Sequence, residues 1–366
     1  MAEQKGLLDE LEDILAHPDI GRRADVLRRI TDLFVAASGH YSDEQVALFD
    51  DVMGRLVAEI DISAKAAFGQ RLAENPNAPP NVMRALALDD EIKVAEPVLM
   101  LCDRIDENTL VESAKTKSQS HLLAISRRQN LAEAVTDVLV QRGNSEVALS
   151  TAQNVTAKFS DFGYATLVER SKDDDGLALS VFSRPEIPRQ HMLQLFERAS
   201  EAVRAKLEAA DPRRAGLIRS LVVDASNKIQ TEARNTVAGY AEKRAAIEAL
   251  HAAGDLDPAR LAAFARDRMF DEAAIALSIM SNLPTGLIER AIASQRPEQI
   301  LIVAKAIGLP WETASEILLL KAQSAGRPPL DLEQCAATFA RLQAGTAKQA
   351  LNFYRLRERA AASGAQ

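Results

Sequence analysis

Acid–base, nucleophilic or metal chemistry in this 366-residue sequence would have to come from its histidines, cysteines and carboxylates. The five histidines, His17, His40, His121, His191 and His251, show no paired ligand spacing. Cys102 and Cys335 lie far apart, and neither belongs to a C-x-x-C. A zinc site needs several closely spaced N or S ligands and a disulfide framework needs paired cysteines, so neither is expected. Carboxylates cluster at Asp89-Asp90-Glu91 and Asp173-Asp174-Asp175. General acid–base work requires two carboxyls converging on a cavity, whereas adjacent acids in a turn read as solvated loops able to attract a basic partner. No P-loop, no G-x-G-x-x-G after a strand and no G-x-S-x-G is present. No catalytic residue, cofactor or metal is assigned, and the sequence reads as non-enzymatic.

Recognition chemistry has better candidates. Arg127 and Arg128 fall at a predicted turn, and Arg184 occupies the position equivalent to Arg128. An arginine row on one surface would suit bidentate recognition of carboxylate or phosphate. The competing and favoured reading is intramolecular pairing with acids of the adjacent repeat. Residues 304–317, with Ala304, Gly308, Trp311, Ala314 and Ile317, have the spacing of a helix-turn-helix. Its second helix would present Glu312, Thr313 and Glu316 to DNA phosphates, so packing is the preferred use, and DNA binding, by this segment or by a basic solenoid groove, is the alternative. Trp311, the only tryptophan, is expected to be a packing anchor or part of an interface. The basic stretch Phe353 to Arg359 reads as a helix terminus.

Whatever these residues do, helices must position them. Aromatics make up 4% of the chain, Gly and Pro are sparse, and 47% of residues are hydrophobic, a composition that favours an all-α fold. Apolar positions recur at Ala78, Ile105, Leu131, Val155 and Ile187, each with an apolar residue six positions earlier: Leu72, Leu99, Ile125, Leu149 and Val181. Helix-starting residues follow these anchors, so each unit reads as helix, tight turn, helix. Two short helices cannot bury an apolar face alone, and stacking them gives an α-solenoid of short bi-helical repeats.

The stretches 86–99, 121–131 and 138–143, together with 270–277 and 308–311, resemble a bacterial domain-of-unknown-function family with HEAT-like or leucine-rich-repeat-variant helical repeats. That resemblance implies a helical-repeat fold and supplies no activity or catalytic residues. The expected organisation is a helical cap over 1–62, with a capping box at Ser42 to Gln45 and an amphipathic helix carrying Leu7, Leu8, Leu11, Ile14 and Leu15. A HEAT-like solenoid over 63–210 follows, then a compact helical subdomain over 211–366, separated near Pro212.

Counting 24 Lys+Arg against 36 Asp+Glu gives −12 for residues 1–212; 20 against 16 gives +4 for 213–366. No stretch reaches the ~20 apolar residues of a membrane span, no basic leader opens the chain, and the cysteine usage suits a reducing cytoplasmic compartment. The function these features point to is a scaffold or regulatory protein holding another protein or peptide, with Arg127, Arg128, Arg184 and Trp311 as candidate contact residues.

Overall fold

A computed structural model describes residues 20–36, 39–236, 239–294, 296–323 and 331–363. The amphipathic helix expected near the start lies outside them, as does Gly326 to Pro329, which the paired prolines mark in the sequence as a break between helices. The described residues are helical, without a strand. The chain divides into two compact units, Met1–Gly163 and Tyr164–Gln366. The charge asymmetry persists at this division: 17 Lys+Arg against 27 Asp+Glu gives −10, and 27 against 25 gives +2.

The first unit contains α1 (Ile20–Ala36), α2 (Asp43–Ala58), α3 (Ile62–Ala73), α4 (Pro80–Ala87), α5 (Ile92–Leu101), α6 (Glu107–Thr116), α7 (Gln119–Ser126), α8 (Glu133–Arg142) and α9 (Ser145–Gln153). Alternate helices pack on one another: α2, α4, α6 and α8 in one row, and α1, α3, α5, α7 and α9 in the other. The starts are encoded locally. Ser42 accepts from Gln45 N while Gln45 Oε1 accepts from Ser42 N, which completes the expected capping box, and Asp61, Asp106 and Asn144 cap α3, α6 and α9.

The buried turn positions differ from the apolar-column reading at one place. Val155 is 87% exposed, and Ala157 is the buried anchor. The turn makes this explicit: Ala157 N donates to Asn154 O, as Ala78 N does to Asn75 O and Ile105 N to Cys102 O. The position six residues before Ala157 is Thr151, not Leu149. Thr151 is fully buried because its hydroxyl donates back to Val147 O at 2.7 Å, so a polar residue fills an apolar slot and hides from a hydrophobicity pattern. The corrected anchors, Ala78, Ile105, Leu131 and Ala157, are spaced 27, 26 and 26 residues apart.

In the second unit, which opens within α10 (Asp161–Arg170), α11 (Asp175–Phe182) precedes two long helices, α12 (Arg189–Ala210) and α13 (Ala215–Thr236), joined by a 3-10 turn at Pro212–Arg214. The remaining helices are α14 (Tyr240–Ala253), α15 (Pro258–Arg266), α16 (Phe270–Ser281), α17 (Thr285–Ala293), α18 (Glu298–Ala306), α19 (Trp311–Gln323), α20 (Leu332–Arg341) and α21 (Ala344–Ser363). Helix α16 is the core element: Phe270 through Ser278 are all buried, and α14, α15 and α17 pack around it. Asp257 caps α15 by accepting from Arg260 N, with Pro258 in the first helical position, as its sequence specifies.

Candidate interaction surfaces

The four candidate contact residues part company. Arg127 is exposed. Arg128 is 8% exposed and spends its guanidinium internally, donating to Leu99 O at 3.3 Å and Cys102 O at 2.7 Å. Arg184 is 6% exposed and is bound to Glu186, with Nε donating at 2.8 Å. Arg128 and Arg184 therefore form no exposed row, because Arg128 is buried and consumed by two backbone carbonyls and Arg184 is buried and paired with half-exposed Glu186. Trp311 is half-buried, its ring 5.6 Å from that of Phe339, and belongs to the core of its unit.

The helix-turn-helix-like segment has its turn, with Gly308 at φ +76° and Leu309 N donating to Ala304 O at 2.9 Å. Its second helix, α19, is covered on several sides by α15, α17, α18 and α20. Thr313 is buried and donates to Pro258 O, and Glu316 pairs with Arg266. This occupies residues that would have to reach a DNA groove.

The other polar candidates are also structural. His121 is buried between Ser118 Oγ at 2.8 Å and Asp89 O at 3.0 Å. In the acidic run, Asp89 pairs with Lys65, and Lys117 bonded to Asp90 holds that carboxyl below its ordinary value. Asp174 caps α11. Burial raises the Cys102 thiol, which keeps it un-ionised.

A buried ion network in the second unit was not legible in the sequence. Glu289 on α17 is wholly buried and lies 2.9 Å from both Arg189 on α12 and Arg234 on α13. Asp271, on α16, is 3.3 Å from Arg189 and 3.2 Å from Lys243, and Glu272 lies 3.1 Å from Lys243. Arg189 also stacks 4.9 Å above the Tyr240 ring. Burial pushes the Glu289 carboxyl above its ordinary value, with Arg189 and Arg234 opposing. Burial disfavours the charged Lys243, but its bonds to Glu272 and Asp271 outweigh this and leave it raised. A Cβ at Gly286 would stand 2.7 Å from Arg234 Nη2, so the guanidinium would have to shift to admit one. These ion pairs join α12, α13, α14, α16 and α17, so the network is a lock holding the five helices together, with Arg189 Nε and the Tyr240 hydroxyl left without a hydrogen-bond partner.

The lock fixes the base of a two-helix arm. In α12 the buried residues stop at Leu195, and the helix continues to Ala210 with none buried. Its course beside α13 is set by Ser226 Oγ donating to Ser200 Oγ at 3.0 Å and by Glu208 lying 3.4 Å from Arg219. On α12, Met192, Phe196, Ala199, Val203 and Leu207 recur at spacings of four, three, four and four; on α13, Ile218, Val222, Ala225 and Ile229 recur at four, three and four. Such spacing puts each set on one helix face. Phe182, Met192, Phe196 and Ile229 line a small apolar recess where the two stripes meet. Val203 is 51% exposed, Leu207 45% and Ile229 50%.

The model of a family described as an uncharacterised protein conserved in bacteria (DUF2336) matches residues 94–352. Comparison with curated proteins and with solved structures gives no match. No helix among the described residues is long and apolar enough to cross a membrane.

Proposed function

We propose that this chain, which belongs to that uncharacterised bacterial family, is a non-enzymatic helical-repeat scaffold that acts by binding protein. The observation that carries the reading is the apolar face of the arm, since helices that extend beyond their core with half-exposed Val, Leu and Ile at heptad-like spacing are suited to receive another helix. The helical rows of the first unit support it. We read them as a short HEAT-like solenoid of bi-helical repeats, whose anchors recur every 26 or 27 residues. Along its turns the exposed position before each tied residue carries Leu101, Arg127 and Gln153, an edge on which Arg127 stays available to a peptide carboxylate.

Site-specific photo-crosslinking in living cells tests the reading. A photoreactive residue at Val203 or Leu207 should give protein adducts, and one at exposed Glu248 on α14 should not. Absence of any protein adduct from both arm positions would overturn it.

A further inference from the structure

We propose that the arm's apolar face is a self-association site, on which the arm of a second copy packs to form a four-helix bundle. This rests on the protein-binding reading above and names the partner.

Three observations select a second copy. The first is periodicity: both stripes combine spacings of three and four, the pattern that favours knobs-into-holes packing against helices with the same pattern. Two copies related by a two-fold axis meet that condition automatically, because an isologous interface pairs a surface with itself. The second is charge. The arm from 196 to 229 carries seven basic and five acidic residues, so two arms bring almost no net repulsion together. The ionic residues also gather at the opposite edge, where Glu208 lies near Arg204 and Arg219. The third is size. The 19 residues from Met192 to Ala210 span about 28 Å, and two helices side by side present a face about 20 Å wide. Two such faces bury ~1,100 Å², just above the ~1,000 Å² expected of a specific interface. Leu221, 58% exposed beside Val222, widens the face.

The chemistry on each side is apolar with small flanks. Ala199 and Ala225 lie within the stripes and let backbones approach, while Val203, Leu207, Val222 and Ile229 supply the knobs. A basic or acidic peptide would find no complementary charge on this face.

Sedimentation velocity on the full chain over about 1–100 µM tests the proposal. Twice the chain mass is expected, with Leu207→Glu/Ile229→Glu raising the dimer midpoint at least about 100-fold by placing four carboxylates in the interface. Glu201→Lys, on the opposite edge, should leave the dimer intact. A wild-type monomer throughout the range, or a dimer indifferent to Leu207→Glu/Ile229→Glu, overturns the proposal. If the double variant misfolds, a photoreactive residue at Val203 in the otherwise unchanged chain decides. An adduct of doubled mass with its partner peptide inside 192–229 supports the proposal. An adduct only with a different protein overturns self-association while leaving the protein-binding reading standing, and no adduct overturns both.

Discussion

Glu289→Ala tests the ion lock. The carboxylate is fully buried, and its two arginine partners, Arg189 and Arg234, have side chains only 8% and 11% exposed. Removing the anion leaves two guanidiniums with little water to replace it. Arg189 retains Asp271 at 3.3 Å, whereas Arg234 loses its only ion-pair partner among the described residues. Breaking a buried pair from one side costs about 3–5 kcal/mol. For a unit of this size each kcal/mol moves Tm by about 2–4 °C, so a fall of roughly 6–20 °C is expected. Trp311, the only tryptophan, lies in the same unit and reports its unfolding by fluorescence in urea.

Glu289→Gln separates charge from shape. Burial raises this carboxyl above the ordinary 4.5, so its protonated form is favoured in the fold relative to the unfolded chain. Such a group stabilises below its unfolded pKa, and that contribution is lost as pH rises through the folded value. The wild-type unit should therefore lose stability as pH rises above about 4.5, and Glu289→Gln should remove that slope and cost less than Glu289→Ala. A loss below about 1 kcal/mol for Glu289→Ala would refute the lock.

Arg128→Met should destabilise the first unit by about 2–3 kcal/mol in urea titration, because it strips charged donors from Leu99 O and Cys102 O while Met fills much of the space; an unchanged midpoint would make those bonds dispensable. Cys102 and Cys335 are buried, so native protein should react with an aromatic disulfide reagent only at the rate of unfolding, and both thiols should titrate immediately in denaturant. Rapid modification of Cys102 under native conditions would contradict its burial.

Helix boundaries in the second half carry local signals, Asp257 as a cap, Pro258 in a first turn and Gly308 where φ is positive, and such signals can be read from sequence. The recurring buried positions were readable where they are apolar and slipped where Thr151 takes the slot, since a self-bonded hydroxyl is buried without looking hydrophobic. The sequence favoured intramolecular pairing for Arg128 and Arg184 over a surface row but not the partners; only the fold shows that carbonyls of an earlier turn claim the first and Glu186 the second. The ion lock had no linear signature, as Arg189, Arg234, Lys243, Asp271 and Glu289 come from five helices. The arm stripes did have one, in the three-and-four spacing from Met192 to Leu207 and from Ile218 to Ile229, and exposure gives them their meaning.

The turn-to-turn ties of the first unit also bear on how such a chain can change over time. Arg128 reaches back to Cys102 O, and 26 residues later Asn154 reaches back to Arg128 O at 2.7 Å. A guanidinium and a carboxamide thus serve the same carbonyl position in consecutive turns. Any side chain long enough to donate will serve, so residue identity there can drift. The interval cannot drift as freely, because a one-residue insertion in the intervening helices rotates the donor by about 100° and strands the carbonyls it served. Among related chains, length between successive ties should vary less than the residues that make them, and gain or loss of whole 26-residue modules should be tolerated better than gain or loss of one residue.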